Sequence, residues 1–431
     1  MALPPGPESR DLYATIRMRI VRLANFVAPN SGGLRTSLAE LGAGYLAAGH
    51  EPVLVIPGER DGDEQTAQGR VITLRAPRLP FTGGYRVLWR RRPLARLLAG
   101  LRPDVLEVSD RTTLRWTGAW ARRHGIPAVM VSHESVTALL KLARVSPGRL
   151  RSAFSRAVAD WLNRRTARAY QQVICTTAWA AAEFERIGVA NLARVPLGVD
   201  LATFSPAAGR VRTRYVGVGQ ILLVHCGRLS AEKKPQRSLN TLATLRAEGV
   251  PVRLVIAGGG PLRTRLGRRA ARAGLPVTFT GFLAGRAELA ALLASADVAI
   301  APGPAETFGL AALEALACGT PVVVSAESAL PEVVGDAGAS VPGEDLATGV
   351  RAVLARPERA RRAAARARAE RYDWDTAARG FLAVHARARR GTAALETAAR
   401  GTAAVGVAPP GAEAEAEIEA EAEAEAGRRS A

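Results

Sequence analysis

Residues 298–325 read VAIAPGPAETFGLAALEALACGTPVVVS. Two apolar runs of strand length, 298–301 and 321–325, bracket an Ala/Leu stretch with helical spacing. Strands that are apolar throughout need burial on both faces, and a connecting helix supplies part of that cover. Glu306 and Glu314 stand eight positions apart, just over two helical turns. The spacing puts them near one face of a helix, with Glu306 at its N-terminus. Carboxylates accept hydrogen bonds and suit sugar and ribose hydroxyls. A helix with one stabilising N-terminal Glu and one partly buried Glu has the same appearance.

Outward from this unit the pattern repeats. Apolar runs at 221–225, 252–257 and 277–280 precede it, separated by stretches such as 235–248 with helical spacing. The first half holds its own set at 19–26, 52–57, 71–75, 105–109, 128–132 and 173–176. The alternation restarts after about residue 215, beyond a Gly/Pro/Arg-rich stretch at 196–219. The expected fold is α/β: two Rossmann-like doubly wound domains facing a central cleft, with ligands beyond the carboxyl ends of the strands. The expected boundaries are a disordered leader or mis-assigned start at 1–17, a first domain at 18–200, a linker at 201–215, a second domain at 216–372, a C-terminal crossover helix at 373–390 and a disordered acidic Ala/Glu tail at 391–431.

The chain of 431 residues is too long for one core. Its net charge of +20 admits a nucleic-acid partner or an anionic membrane. No helix-turn-helix, RNP or zinc signature accompanies the charge, which counts against nucleic acid. Only Lys141, Lys233 and Lys234 are lysines, so arginine dominates the 59 basic residues and part of the charge is compositional background. Residues 411–431 hold seven Glu and two Arg, a net of −5 that leaves +25 on the rest. Cys175, Cys226 and Cys318 are scattered and form no CxxC pair, which fits a reducing cytoplasm. No apolar run is long enough for a membrane span.

Two further segments carry chemistry. Ser31-Gly32-Gly33-Leu34 follows the first strand and opens a helix, a backbone arrangement that can take a phosphate or simply make a tight turn. His225-Cys226-Gly227-Arg228-Leu229-Ser230-Ala231-Glu232-Lys233-Lys234-Pro235 follows a strand and precedes a helix. A fixed Arg and a Lys at a strand end can neutralise a departing diphosphate, or be a solvated turn. Two of the three lysines sit here.

Together these segments resemble the retaining family 4 glycosyltransferases of the glycosyltransferase-B fold. The resemblance rests on 306–322, on Val195-Pro196-Leu197-Gly198-Val199-Asp200 with Phe204 and Pro206, on 227–233, on VIAGGGP at 255–261 and on TGFL at 280–283. It spans about residues 18–388. It implies a nucleotide-sugar donor as co-substrate, with no separate cofactor and no metal. Gly32 and Gly33 would hold the distal phosphate, and Arg228 and Lys233 the departing diphosphate, with Lys234 the alternative if the register shifts by one. Glu306 would bind donor-sugar hydroxyls beside the Phe308, Gly309 and Leu310 N–H groups. Glu314 would hold the ribose, Phe282 and Leu283 would line the base, and His133 would stand near the reacting sugar. Tyr372-Asp373-Trp374 resembles the segment that crosses back onto the first domain. Retention requires a covalent intermediate or front-face attack, and no opposed pair of carboxylates is evident for the former.

Residues 77–102 carry six arginines from Arg86 onward and no acid; 144–168 add seven against Asp160. Tyr85, Trp89, Trp161 and Leu162 are interleaved with them. Basic, aromatic, amphipathic stretches suit an anionic membrane surface, although the whole chain is rich in arginine. Within the family, PRLPF-x-x-x-YR and RLANF-x-x-x-x-GGLRT resemble actinobacterial mannosyltransferases that use GDP-mannose on phosphatidylinositol mannosides or related glycolipids. The resemblance thus implies a cytoplasmic enzyme peripheral to the inner face of the plasma membrane. A UDP-sugar donor, a soluble acceptor and a non-catalytic sugar-nucleotide-binding protein remain the alternatives.

Overall fold

The computed structural model describes residues 17–27, 32–79, 84–133, 149–209, 211–283 and 285–404. The expected leader up to residue 16, Ser31, the basic stretch at 144–148 and the acidic repeat lie outside the described residues.

The first domain runs β1 (Arg19–Leu23), α1 (Gly33–Ala47), β2 (Glu51–Gly58), β3 (Gly62–Thr66), β4 (Gly69–Arg75), α2 (Arg91–Leu101), β5 (Val105–Val108), α3 (Trp116–Arg123), β6 (Ala128–Ser132), α4 (Arg149–Ala169), β7 (Gln172–Cys175), α5 (Ala178–Glu185) and β8 (Leu192–Arg194). Its sheet has the order β3-β4-β2-β1-β5-β6-β7-β8, parallel except for the β3–β4 hairpin. The second domain runs β9 (Ile221–Cys226), α6 (Gln236–Ala247), β10 (Val252–Ala257), α7 (Arg263–Arg272), β11 (Val277–Gly281), α8 (Arg286–Ser295), β12 (Val298–Ala301), α9 (Leu310–Ala317), β13 (Val322–Ser325), α10 (Leu330–Val334), β14 (Ala339–Val341), α11 (Ala347–Leu354) and α12 (Glu358–Ala369). Its sheet, β11-β10-β9-β12-β13-β14, is parallel throughout. In both sheets the chain winds first to one side and then to the other, and β1 and β9 flank the switch points.

The strands expected from apolar runs are present, and three others are not of that kind. β3 is GDEQT, a polar and mostly exposed edge. β8 and β14 span only three residues each and close the far edges of their sheets. Edge strands are covered on fewer sides, so they need no apolar run.

The chain ends on α13 (Trp374–Ala404), which returns to the first domain and packs on α1, β6 and β7. The crossing point is tight: a Cβ on Gly198 would fall 2.4 Å from the Trp374 nitrogen. Val199 N–H donates to the Tyr372 carbonyl at 3.0 Å beside it. α13 extends past the expected end at 390, so the disorder expected from 391 is corrected as far as Ala404. The reason is local: 391–404, GTAALETAARGTAA, is alanine-rich and continues a helix already nucleated. Residues 201–209 and 211–215 pack onto the second domain rather than spanning freely. Phe204 is buried, and its carbonyl accepts from Arg366 at 2.9 Å.

Beneath α13 lies a buried charged cluster. Glu107 on β5 accepts from Arg22 Nε at 2.8 Å and from the Tyr45 hydroxyl at 2.8 Å, and His385 Nε2 of α13 lies 3.1 Å away. Burial alone would raise the Glu107 pKa, but Arg22 and His385 outweigh it and hold the carboxyl well below its usual range. The same burial and the Glu107 charge push Tyr45 up.

Candidate active site

The carboxyl ends of the two sheets face each other, and the candidate residues stand on the loops that leave them. After β9, Gly227 turns the chain with φ 156° and Arg228 follows. The β10–α7 loop presses against this turn: a Cβ on Gly258 would lie 1.9 Å from the Gly227 carbonyl oxygen. That contact requires glycine at 258, and the approach of the Leu229 carbonyl, 2.5 Å from where a Cβ would stand, requires it at 260.

The loop then makes a 3-10 turn, Ala231–Lys233, and Lys234 follows it with φ 43°. The turn separates the two lysines. Lys233 Nζ donates to Glu306 Oε1 at 2.6 Å, whereas Lys234 Nζ pairs with Glu344 at 3.0 Å. The register thus directs Lys233 towards Glu306 and turns Lys234 away.

Glu306 is not on the helix with Glu314. It occupies the loop between β12 and α9, and the helix begins only at Leu310. Gly309 makes the break, with φ 86° and Leu330 Cδ2 only 2.1 Å from where a Cβ would stand. The N–H groups of Gly309, Leu310 and Ala311 precede the first intrahelical bonds, which run from Ala312 and Leu313 to the Gly309 carbonyl. Phe308 is buried edge-on to Tyr372, with centroids 6.0 Å apart.

Glu314, one turn into α9, is partly buried. Burial raises its pKa to about 7, against the lowering effect of Arg286 and with further raising by Asp200 and Glu40. Arg286 joins the two domains here: it meets Glu40 of α1 at 2.6 Å and Asp200 at 3.3 Å. Sequence reasoning missed this bridge. Asp200 lay within a quoted motif, but nothing marked Glu40 and Arg286, which are 246 positions apart. Leu283 packs against the core, while Phe282 is half exposed.

From the first domain, Gly32 caps α1 and Gly33 opens it; a Cβ on Gly33 would stand 3.9 Å from Leu310 Cδ1. The Gly32–Gly33 turn and the start of α9 therefore meet across the cleft. Tyr85 lies under Arg228, 4.5 Å from ring centroid to guanidinium carbon. His133 follows β6, with Nε2 3.2 Å from Ser109 Oγ. Burial lowers its pKa to about 4, so the imidazole is neutral at pH 7. Thr307, which the motif reading passed over, donates to the His133 carbonyl at 2.6 Å. Among the described residues no group of three or more His, Cys, Asp and Glu could hold a metal ion.

Two facing doubly wound domains, with an ammonium–carboxylate pair and a helix N-terminus in the cleft, are the arrangement expected of a glycosyltransferase of the glycosyltransferase-B fold. Comparison with known proteins gives the same class. The description "Glycosyl transferase 4-like domain" matches residues 32–198, and "Glycosyl transferases group 1" matches residues 216–370. The chain belongs to this glycosyltransferase family. It is 52% identical, over 85% of its length and 95% of the relative's, to the GDP-mannose-dependent alpha-(1-6)-phosphatidylinositol dimannoside mannosyltransferase of Mycobacterium tuberculosis. It is 33% identical to a glycogen synthase of the same species, over 84% of this chain and 92% of that one. Among solved structures, sucrose-phosphate synthase from Thermosynechococcus elongatus superposes with a TM-score of 0.68 at 22% identity, covering 89% of this chain and all of that one.

Proposed function

We propose that this enzyme transfers mannose from GDP-mannose to a phosphatidylinositol mannoside, with retention and at the inner face of the plasma membrane. The observation that carries the transferase site is the Lys233–Glu306 pair. It sets a cation for a diphosphate beside an acceptor for sugar hydroxyls, which are the two adjoining parts of a nucleotide sugar. The donor and acceptor are supported by the identity with the mycobacterial dimannoside mannosyltransferase.

In this reading Arg228 and Lys233 compensate the charge that develops on the diphosphate as the glycosidic bond lengthens. The departing phosphate oxygen takes the proton of the acceptor hydroxyl, which attacks the same face of the sugar. Neutral His133 lends a hydrogen-bonding ring to that face rather than a charge. With two cations in place, the reading needs no metal. Lys233→Ala should lower kcat about 10²-fold, the scale of losing one transition-state contact. Lys234→Ala should stay within a few-fold, because Lys234 pairs with Glu344 and not with Glu306. Steady-state transfer assays on the two variants check this, and equal losses would contradict the register.

A thermal-shift series tests the donor. GDP and GDP-mannose should raise the melting temperature more than UDP and UDP-glucose; a uridine preference would refute the donor assignment.

The membrane reading rests on two basic helices of the first domain. At α2 and its N-cap, Arg90, Arg91, Arg92 and Arg96 are exposed next to Trp89, while Leu94, Leu98 and Leu101 are buried. On α4, Phe154, Trp161, Arg164, Arg165 and Arg168 are exposed. Arg115 lies between the two: burial lowers its pKa first, and the Arg165 and Arg91 cations lower it further. No helix among the described residues is long and apolar enough to cross a membrane. The protein should float with vesicles containing anionic phosphatidylinositol and far less with neutral phosphatidylcholine; equal absence from both would refute a lipid surface.

A further inference from the structure

Thr307 sits immediately after Glu306, yet both its polar ends face the other domain. Its hydroxyl donates to the carbonyl of His133, just past the end of β6, at 2.6 Å. Its own carbonyl accepts from Thr177 Oγ1 at 2.9 Å, just past the end of β7. Thr177 is itself fixed, because its Oγ1 caps α5 by accepting from Ala180 N–H at 3.1 Å. A second contact lies alongside. Glu332 of α10 accepts from the Ala178 and Trp179 N–H groups at 3.0 and 3.3 Å, where the dipole of α5 favours a carboxylate. The two contacts are joined within the second domain, since Ala329 N–H, at the cap of α10, donates to the Glu306 carbonyl at 2.9 Å.

We infer that Thr307 is a positioning residue: its hydroxyl and carbonyl clasp the Glu306–Leu310 segment to the ends of β6 and β7, so that closing the cleft sets Glu306 in register with His133. Glu332 reinforces the same clasp. The inference rests on the donor-cleft reading above but specifies what assembles it. Glu306 is held from one side by Lys233 and from the other through its neighbour's bonds to the opposite domain. A cleft that fails to close leaves Glu306 in the donor half, away from the strand end that carries His133.

The test compares Thr307→Val with Thr307→Ser in the full chain. Valine keeps the volume but cannot donate; serine restores the hydroxyl. Thr307→Val should lower kcat about 5- to 10-fold, the range for one net hydrogen bond. Thr307→Ser should recover most of that. Wild-type kcat in Thr307→Val, or equal loss in Thr307→Ser, overturns the inference. A second readout needs no substrate: small-angle scattering of Thr307→Val/Glu332→Ala should give a larger radius of gyration than the wild type, and an identical radius overturns the clasp. A wild type without transfer activity would instead refute the proposed function, and the scattering comparison would still decide the clasp.

Discussion

Glu306→Ala should lower transfer about 10²- to 10³-fold, the scale of removing one preorganised polar contact from a reacting centre. The variant should stay folded, because the Glu306 side chain stands on a loop outside the hydrophobic core. Gly309 separates that loop from α9, and the Glu306 carboxylate pairs with Lys233. The backbone carbonyl of residue 306, which holds Ala329 N–H at 2.9 Å, survives the substitution. The loss should fall on kcat more than on affinity for GDP, since GDP has no sugar for the carboxylate to bind. Calorimetric GDP affinity, circular dichroism and turnover on one preparation check all three parts. Unchanged turnover would refute the assignment of Glu306.

Glu107→Ala should cost about 3–5 kcal/mol of stability, the scale for removing one member of a buried ion pair. Arg22 would be left buried and unpaired, and the Tyr45 hydroxyl and His385 would lose the carboxylate they share. The site lies under α13, so hydrogen exchange should speed up in α13 as well as in the first sheet. Denaturant unfolding of the two proteins measures the energy. The pH dependence has a defined sign. The folded pKa of Glu107 lies below its unfolded value. Its contribution is therefore fully present above about pH 4.3, the unperturbed value for Glu, and is lost as pH falls through the folded pKa. Glu107→Gln should flatten this acid limb. An acid limb unchanged in Glu107→Gln would show that the cluster does not govern it.

The fold was legible because parallel sheets advertise themselves: strands buried on both faces read as apolar runs, and helices recur between them. Much of the cleft was legible as well, because glycines such as Gly258 and Gly309 stand where a Cβ would collide. The geometry of Glu306 was not. Spacing alone placed it on one face of a helix with Glu314, and only the left-handed turn at Gly309 shows that the helix starts later. Contacts between distant segments left no trace in the sequence. Glu40 and Arg286, or Thr307 and Thr177, acquire meaning only when the two sheets face each other. The helix beyond 390 was missed for the opposite reason: alanine-rich 391–404, with its two glycines, continues a helix already nucleated upstream.

The most direct test of the account is the product itself. Purified protein, GDP-mannose and a phosphatidylinositol dimannoside should yield a lipid one hexose heavier, with the new linkage in the alpha configuration by NMR. A beta linkage would contradict retention, and no added hexose under conditions where GDP binds would contradict the proposed transfer.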